Sequence, residues 1–188
     1  MFKCIKKLFK KENLGHRLGY SLGSMPENSM GALESAIEFQ PLDDFKYWEF
    51  DVVESADGVL FVFHDATKNK PIDRMCPKSL PYQGDLIYEL DYYEIKDLKL
   101  LNTNEKVPYA SEVIQELVDS SIKPVNVEIK KLLSKGAQIN LLQHLSIAKS
   151  ESEVEFYFSM FKKKLKKMPN KDWFLEQCKN RNIRFKVM

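Results

Sequence analysis

Residues 46–65, KYWEFDVVESADGVLFVFHD, are two apolar segments joined by a short turn, and they carry ionisable groups that packing alone does not call for. A run this apolar belongs inside a protein, so Glu49, Asp51 and His64 must be satisfied by partners or serve chemistry. Side chains alternate across a strand, which puts Tyr47, Glu49 and Asp51 on one face and Trp48, Phe50 and Val52 on the other. In the second segment Leu60, Val62 and His64 share a face by the same rule. A tight hairpin turn at Asp57-Gly58 predicts Asp51 opposite His64. A crossover between parallel strands instead leaves both polar ends at neighbouring strand C-termini. In either arrangement a histidine meets a carboxylate pair.

The chain of 188 residues predicts a single domain over residues 1–188, and 44% hydrophobic with 30% charged residues is the balance of a soluble globular protein. Basic and acidic residues nearly cancel at +2, so no global field argues for nucleic acid. Cys4, Cys76 and Cys178 are odd in number and far apart, which predicts free thiols in a reducing compartment. No apolar run approaches the roughly 20 residues that span a bilayer. The start lacks the apolar core of an export signal, so the expected location is cytoplasmic. Residues 1–12 form a basic amphipathic segment, with Phe2, Ile5, Leu8 and Phe9 at helical spacing among five lysines. Two readings stay open for it: peripheral membrane contact through residues 1–11, or a helix that plugs the bottom of the domain or frays.

In chain order, Asn13–Arg17 predicts a short strand ending on His16 and Arg17, followed by a glycine-dotted loop. Asn28 or Ser29 then caps a helix over MGALESAIEF. Glu27 and Asn28 are read as capping and orienting that helix. Ala66–Gly84 predicts an irregular loop in which Arg74 and Lys78 are solvated, with contact to an anionic substrate the alternative. Leu86–Leu101 is partly helical, and Ala110–Val118 an amphipathic helix after Pro108. Lys123–Lys130 repeats the opening pattern, with Val125, Val127 and Ile129 on one face and Asn126, Glu128 and Lys130 on the other. Beyond it come a helix over Ala137–Ala148, a strand over Glu153–Met160, a basic turn or short helix, a helix over Lys171–Lys179 and a strand over Ile183–Met188. His144, among leucines in a helical pattern, reads as structural. Six strands alternating with helices indicate an α/β protein with a mainly parallel sheet.

Sheets of this kind usually have apolar strands, so polar ends at His16-Arg17, Glu49-Asp51, His64-Asp65 and Glu128-Lys130 mark the end where such folds place chemistry. Three carboxylates are hard oxygen ligands suited to Mg²⁺ or Ca²⁺. Arg17 and Lys130 fit a phosphate, and two histidines can flank it as acid and base. These motifs in order, with Pro26-Glu27-Asn28-Ser29, Asp57-Gly58 and Val107-Pro108 between them, resemble those of the glycerophosphodiester phosphodiesterase family. The resemblance covers about residues 14 to 130. It implies an irregular, shortened TIM-like (β/α) barrel and a divalent metal, Mg²⁺ or Ca²⁺, held by Glu49, Asp51 and Glu128. It further implies catalysis by His16 and His64, with substrate phosphate contacts from Arg17 and Lys130. The expected reaction is hydrolysis of a glycerophosphodiester to an alcohol and glycerol phosphate, within lipid or glycerol metabolism. One alternative is a degenerate, non-catalytic phosphodiester-binding module. Another is a phosphodiesterase for a lipid headgroup, a lysophospholipid or a glycerol-phosphate unit of a surface polymer. Two departures stand out: Leu18 where the family usually has glycine, with Gly19 one place later, and a shortened C-terminal half. A second subunit would cover the strand edges of an open barrel.

Overall fold

The computed structural model describes residues 13–67, 71–77 and 81–188. The amphipathic segment 1–12, Cys4 and Lys78 lie outside the described residues. A five-stranded sheet in the order β2-β1-β3-β4-β5 forms the frame, with strands Trp48–Glu54 (β1), Leu60–Val62 (β2), Val125–Lys131 (β3), Phe156–Met160 (β4) and Arg184–Val187 (β5). β1, β3, β4 and β5 run parallel, and β2 returns antiparallel against β1. The helices are Met30–Ala36 (α1), Tyr92–Ile95 (α2), Ala110–Ser120 (α3), Lys135–Glu151 (α4), Lys162–Leu165 (α5) and Lys171–Asn180 (α6). This is a mixed α/β fold with a mostly parallel sheet, the arc of a shortened barrel.

Alternation decides which face of the arc is apolar. Trp48, Phe50 and Val52 from β1, Val125, Val127 and Ile129 from β3, and Phe156, Phe158 and Met160 from β4 join one core with buried residues of α1, α3, α4 and α6. In α3 the buried positions Ala110, Val113, Ile114 and Leu117 recur at the i, i+3, i+4, i+7 spacing of one helical face. The Ser29 hydroxyl accepts from the Ala32 amide and caps α1. Glu54, buried at the end of β1, accepts from the backbone amides of Leu133 and Ser134 and so ties β1 to the start of α4. A second core joins Val53 and Phe61 to the chain segment that links β2 to α3 in sequence, with Phe63, Ile72, Ile87 and Ile95 among its residues. Cys76 and Cys178 are buried free thiols, as expected.

Three expectations are corrected. Asn13–Arg17 is not a strand: residues 16–22 form a 3-10 stretch broken by left-handed backbone at Arg17, Leu18 and Gly19. The described residues therefore contain five strands rather than six. Asp51 lies opposite Phe63, whose amide donates to its carbonyl at 2.9 Å, and not opposite His64. The hairpin pairs Glu54 with Leu60, so the turn has one residue more than a two-residue Asp57-Gly58 turn. Gly58, at φ 91°, takes the left-handed step such a loop needs. The helix expected over residues 30–39 becomes 3-10 at Ile37–Phe39, and the loop after Ala66 holds one 3-10 turn, Ile72–Arg74.

Candidate active site

Because Trp48, Phe50 and Val52 are committed to the core, Glu49 and Asp51 emerge together on the opposite face of β1, 4% and 1% exposed. β3 does the same with Asn126, Glu128 and Lys130, and the parallel register sets Asp51 directly beside Glu128 and Glu49 beside Asn126. Carboxylate oxygens of Glu49, Asp51 and Glu128 all lie within 4.8 Å of one another. The register slips between Val52 and Val53, which pair with Ile129 and Lys131, leaving Lys130 as the extra residue of a bulge. A bulge re-aims the side chain it carries. The Lys130 ammonium stands 2.8 Å from Asp51 Oδ1 and 2.5 Å from Glu128 Oε1.

His16 and Arg17 reach the same place from a strained loop rather than from a strand. The Arg17 amide donates to Glu49 Oε2 at 2.9 Å, while the Glu49 amide donates to the Gly15 carbonyl at 2.9 Å. His16 Nε2 lies 3.5 Å from Glu49 Oε2. Arg17 and Leu18 hold φ of 47° and 61°, a conformation that costs a non-glycine residue about 1–2 kcal/mol. Leu18 is fully buried in the core, which offsets that cost and explains how a leucine stands where the family usually has glycine. Gly19 does need to be glycine, for a Cβ there would meet the Ala36 Cβ at 2.3 Å.

The second histidine belongs to a closed ring of ionic contacts. His64 Nδ1 lies 2.7 Å from Asp65 Oδ1, and Arg74 Nε donates to Asp65 Oδ2 at 2.5 Å. Another Arg74 nitrogen and an Arg17 nitrogen bind the two oxygens of Glu27, each at 2.5 Å. Arg17 also lies 2.8 Å from His64 Nε2, closing the ring. Arg17 can only donate, so Nε2 is the acceptor and Nδ1 carries the proton toward Asp65. This corrects the sequence-based reading of Arg74 as a solvated loop residue and of Glu27 as a helix-capping one. Asn28 is likewise more than a cap: its amide donates to Asp51 Oδ2 at 2.8 Å and fixes that carboxylate. Asp65 holds the His64 ring. The signal for Arg74 was indirect, since a fully buried acid such as Asp65 requires a cation or donors from somewhere in the chain.

Electrostatics favour a cation at the three carboxylates. Burial, together with the charges of Asp51 and Glu128, pushes the Glu49 carboxyl well above its usual range. Burial acts the same way on Asp51, yet the Lys130 ammonium and the Asn28 amide outweigh it and hold Asp51 below its ordinary value. Burial opposes the charge on Lys130, but Asp51 and Glu128 raise its pKa. Burial would also raise Glu27, and the contacts of Arg74 and Arg17 bring it down instead. One oxygen of Glu49 is buried with no hydrogen-bond donor. Three converging carboxylates, one with an unserved oxygen and a raised pKa, fit a hard divalent ion, and the charge of Lys130 already occupies part of that role. No helix among the described residues is long and apolar enough to cross a membrane. His144 lies apart from the carboxylates, lining a cavity of about 280 Å³ with Asp57, Gly58 and Asn140.

The fold has solved relatives. The chain is similar to a Galdieria sulphuraria protein assigned to the glycerophosphodiester phosphodiesterases, at 17% identity and TM-score 0.60 over 92% of this chain and 73% of that one. It is also similar to an Oleispira antarctica phosphodiesterase solved with the product sn-glycerol-3-phosphate, at 20% identity and TM-score 0.59 over the same shares. A third likeness, to a Silicibacter pomeroyi protein assigned to the glycerophosphoryl diester phosphodiesterases, has 17% identity and TM-score 0.58 over 92% of this chain and 62% of that one. At these identities the likeness speaks for the fold. No curated protein matches the chain. The sequence model of the glycerophosphoryl diester phosphodiesterase family matches residues 16–181, from the first histidine of the site almost to the last strand, and the chain is therefore an enzyme of that family.

Proposed function

We propose that the chain hydrolyses a glycerophosphodiester to an alcohol and glycerol phosphate, with a divalent cation, Mg²⁺ or Ca²⁺, held by Glu49, Asp51 and Glu128. The observation that carries this reading is the buried carboxylate triad, within 4.8 Å, with His16 and the Arg17–His64 pair beside it. When bound, the cation supplies Lewis-acid stabilisation of the charge that grows on the phosphoryl oxygens. Lys130 and Arg17 supply the remaining positive charge, and both already face the carboxylates, so they are held where an incoming phosphate oxygen needs them. His16, beside Glu49, accepts the proton of the nucleophile, either water, which gives glycerol phosphate directly, or the neighbouring glycerol hydroxyl, which gives a cyclic phosphate that water must then open. His64 protonates the leaving oxygen. Since Nε2 of His64 accepts from Arg17 in this arrangement, the guanidinium must turn to the phosphate before Nε2 can carry a proton to the substrate. Asp65 accepts from the opposite nitrogen and fixes the orientation of the ring.

The test is turnover of glycerophosphocholine and related diesters by His16→Ala and His64→Ala, each checked for folding. Loss of either histidine should lower the rate by roughly 10²-fold or more and remove one limb of a bell-shaped pH profile. Near-native rates in both folded variants would refute the assignment. Glu128→Gln should weaken metal binding measured by calorimetry, with turnover recovering in part at high metal concentration.

A further inference from the structure

Positive charge in this protein is gathered at the two ends of the sequence, most of it at the C-terminal one. Residues 161–188 hold ten Lys or Arg against two Asp or Glu, an excess of eight in a chain whose total is +2, so residues 1–160 carry a net −6. The fold divides this tract: residues 162–167 stand at the C-terminal end of the strands, while α6 returns the chain to the other end, where Lys179, Arg181 and Arg184 lie and Arg184 pairs with Glu155. Leu165 and Met168 are buried and pin the segment after β4 to the core. Lys162, Lys163, Lys166 and Lys167 are left exposed, with no carboxylate in ion-pair contact among the described residues. Lys162 and Lys166 lie one helical turn apart, at the i, i+4 spacing where like charges repel. Such a cluster is relieved when an anionic partner covers it.

The surface is also apolar at one end. Phe161 and Val187 are 49% and 50% exposed, and Met188 is exposed beside them. The Lys162 amide donates to the Met188 carbonyl at 2.8 Å, so the end of β5 and the start of α5 meet. A cavity of about 300 Å³ lined by Lys166, Asn170, Trp173 and the Lys171–Asp172 ion pair opens nearby, and Lys135 Nζ lies 4.8 Å over the Trp173 ring. Exposed Phe161, Val187 and Met188 beside Lys162, Lys163, Lys166 and Lys167 match the layered chemistry of a bilayer interface. A water-soluble polyanion would leave the apolar groups unused.

Its position matters for chemistry. Asp51, Glu128, Ser159 and Lys186 are successive partners in one row across the sheet. Phe161 lies two residues past Ser159 at the same strand ends as the carboxylates, on the order of 10 Å from Glu128 by strand geometry. We propose that residues 161–167, with Val187 and Met188 at the end of β5, form a docking surface for an anionic lipid bilayer, and that docking turns the carboxylate end of the sheet toward phosphodiesters held in the membrane. The docking stands on charge and exposure alone; only its use in catalysis rests on the phosphodiesterase reading.

The experiment is sedimentation of the full chain with phosphatidylcholine vesicles, with and without phosphatidylglycerol, at two salt concentrations. The unaltered chain should bind the anionic vesicles preferentially, and more weakly as salt rises. A surface lysine contributes about fivefold to such binding, so replacing Lys162, Lys163, Lys166 and Lys167 together by Gln should weaken it by nearly three orders of magnitude, about 600-fold. Phe161→Ser should weaken it by a smaller factor that salt does not change. Residues 1–12 are intact in both variants, so their lysines are held constant. Turnover of glycerophosphocholine should stay within about twofold throughout, and vesicle binding is read whether or not that diester is cleaved. Binding by the lysine variant within about threefold of the unaltered chain, equal binding to neutral vesicles, or stronger binding to an RNA homopolymer than to anionic vesicles would each overturn the proposal.

Discussion

Replacing Lys130 by Met tests the electrostatics of the site without its chemistry. The substitution keeps the length of the side chain and removes an ammonium that is 6% exposed and paired with both Asp51 and Glu128. What remains is a buried carboxylate triad with no cation inside it. Stranding one side of a buried pair costs about 3–5 kcal/mol. In a chain of this size each kcal/mol moves the melting temperature by about 2–4 °C, so the metal-free variant should melt roughly 6–20 °C below the unaltered chain at neutral pH. Lys130 itself has a raised pKa in the fold, so its stabilisation is complete below the unfolded lysine value, about 10.4, and changes little between pH 5 and 9. The deficit in the variant should nevertheless shrink on mild acidification. Glu49 is already held above the usual range, and a carboxyl with a raised pKa favours the fold below that pKa and weakens it as pH rises. Added Mg²⁺ or Ca²⁺ should recover more stability in the variant than in the unaltered chain, because no ammonium competes for the oxygens. Calorimetry in chelator and in excess metal measures all three effects. A metal-free variant melting within about 2 °C of the unaltered chain, or a deficit that grows in acid, would refute this account.

Asp65→Asn should reduce turnover by misorienting His64 and should also change acid sensitivity. Burial would raise the Asp65 carboxyl, but hydrogen bonds from His64 and Arg74 depress it, so its stabilisation is present above about pH 3.9 and lost as pH falls below that; urea titrations at descending pH should show a flatter loss in the variant. Leu18→Gly removes the left-handed strain of a leucine and also removes a fully buried side chain. Burial of a leucine outweighs the roughly 1–2 kcal/mol of strain, so the variant should be less stable in urea denaturation, by less than Leu18→Ala, which keeps the strained φ without the packing. Cys76 and Cys178, whose thiols burial pushes up to about 12, should resist alkylation at pH 8 in the native protein and react in urea, as mapped by mass spectrometry.

The carboxylate half of the site is legible in the sequence because it is written in strand alternation. Once Trp48, Phe50 and Val52 are assigned to the core, Glu49 and Asp51 have nowhere else to point, and the same holds for Glu128 and Lys130 opposite Val127 and Ile129. Pairing between those two strands follows from their matching patterns. What alternation does not specify is register. An Asp-Gly pair allows either a two-residue or a three-residue loop, and the chain takes the longer one. That single residue replaces His64 by Phe63 opposite Asp51 and sends the histidine to the site through the loop after β2.

The half of the site that holds the two histidines is less legible because it is built from contacts between loops. Glu27 and Arg74 are 47 positions apart, and neither segment has a periodicity that requires the other. The segment carrying His16 and Arg17 gains nothing from strand-like backbone. Its left-handed residues let the Arg17 amide donate to Glu49 while the Arg17 side chain reaches both Glu27 and His64. A straight strand over Asn13–Arg17 would have alternated His16 and Arg17 onto opposite faces, and only one of them would have met the carboxylates. The broken backbone is what allows adjacent residues to serve one site, and the buried Leu18 side chain compensates for the conformational cost. The position where this chain departs from its family's glycine is thus where packing and chemistry are coupled most tightly, and a loss of Leu18 packing should reach His16 and Arg17 before it reaches the sheet.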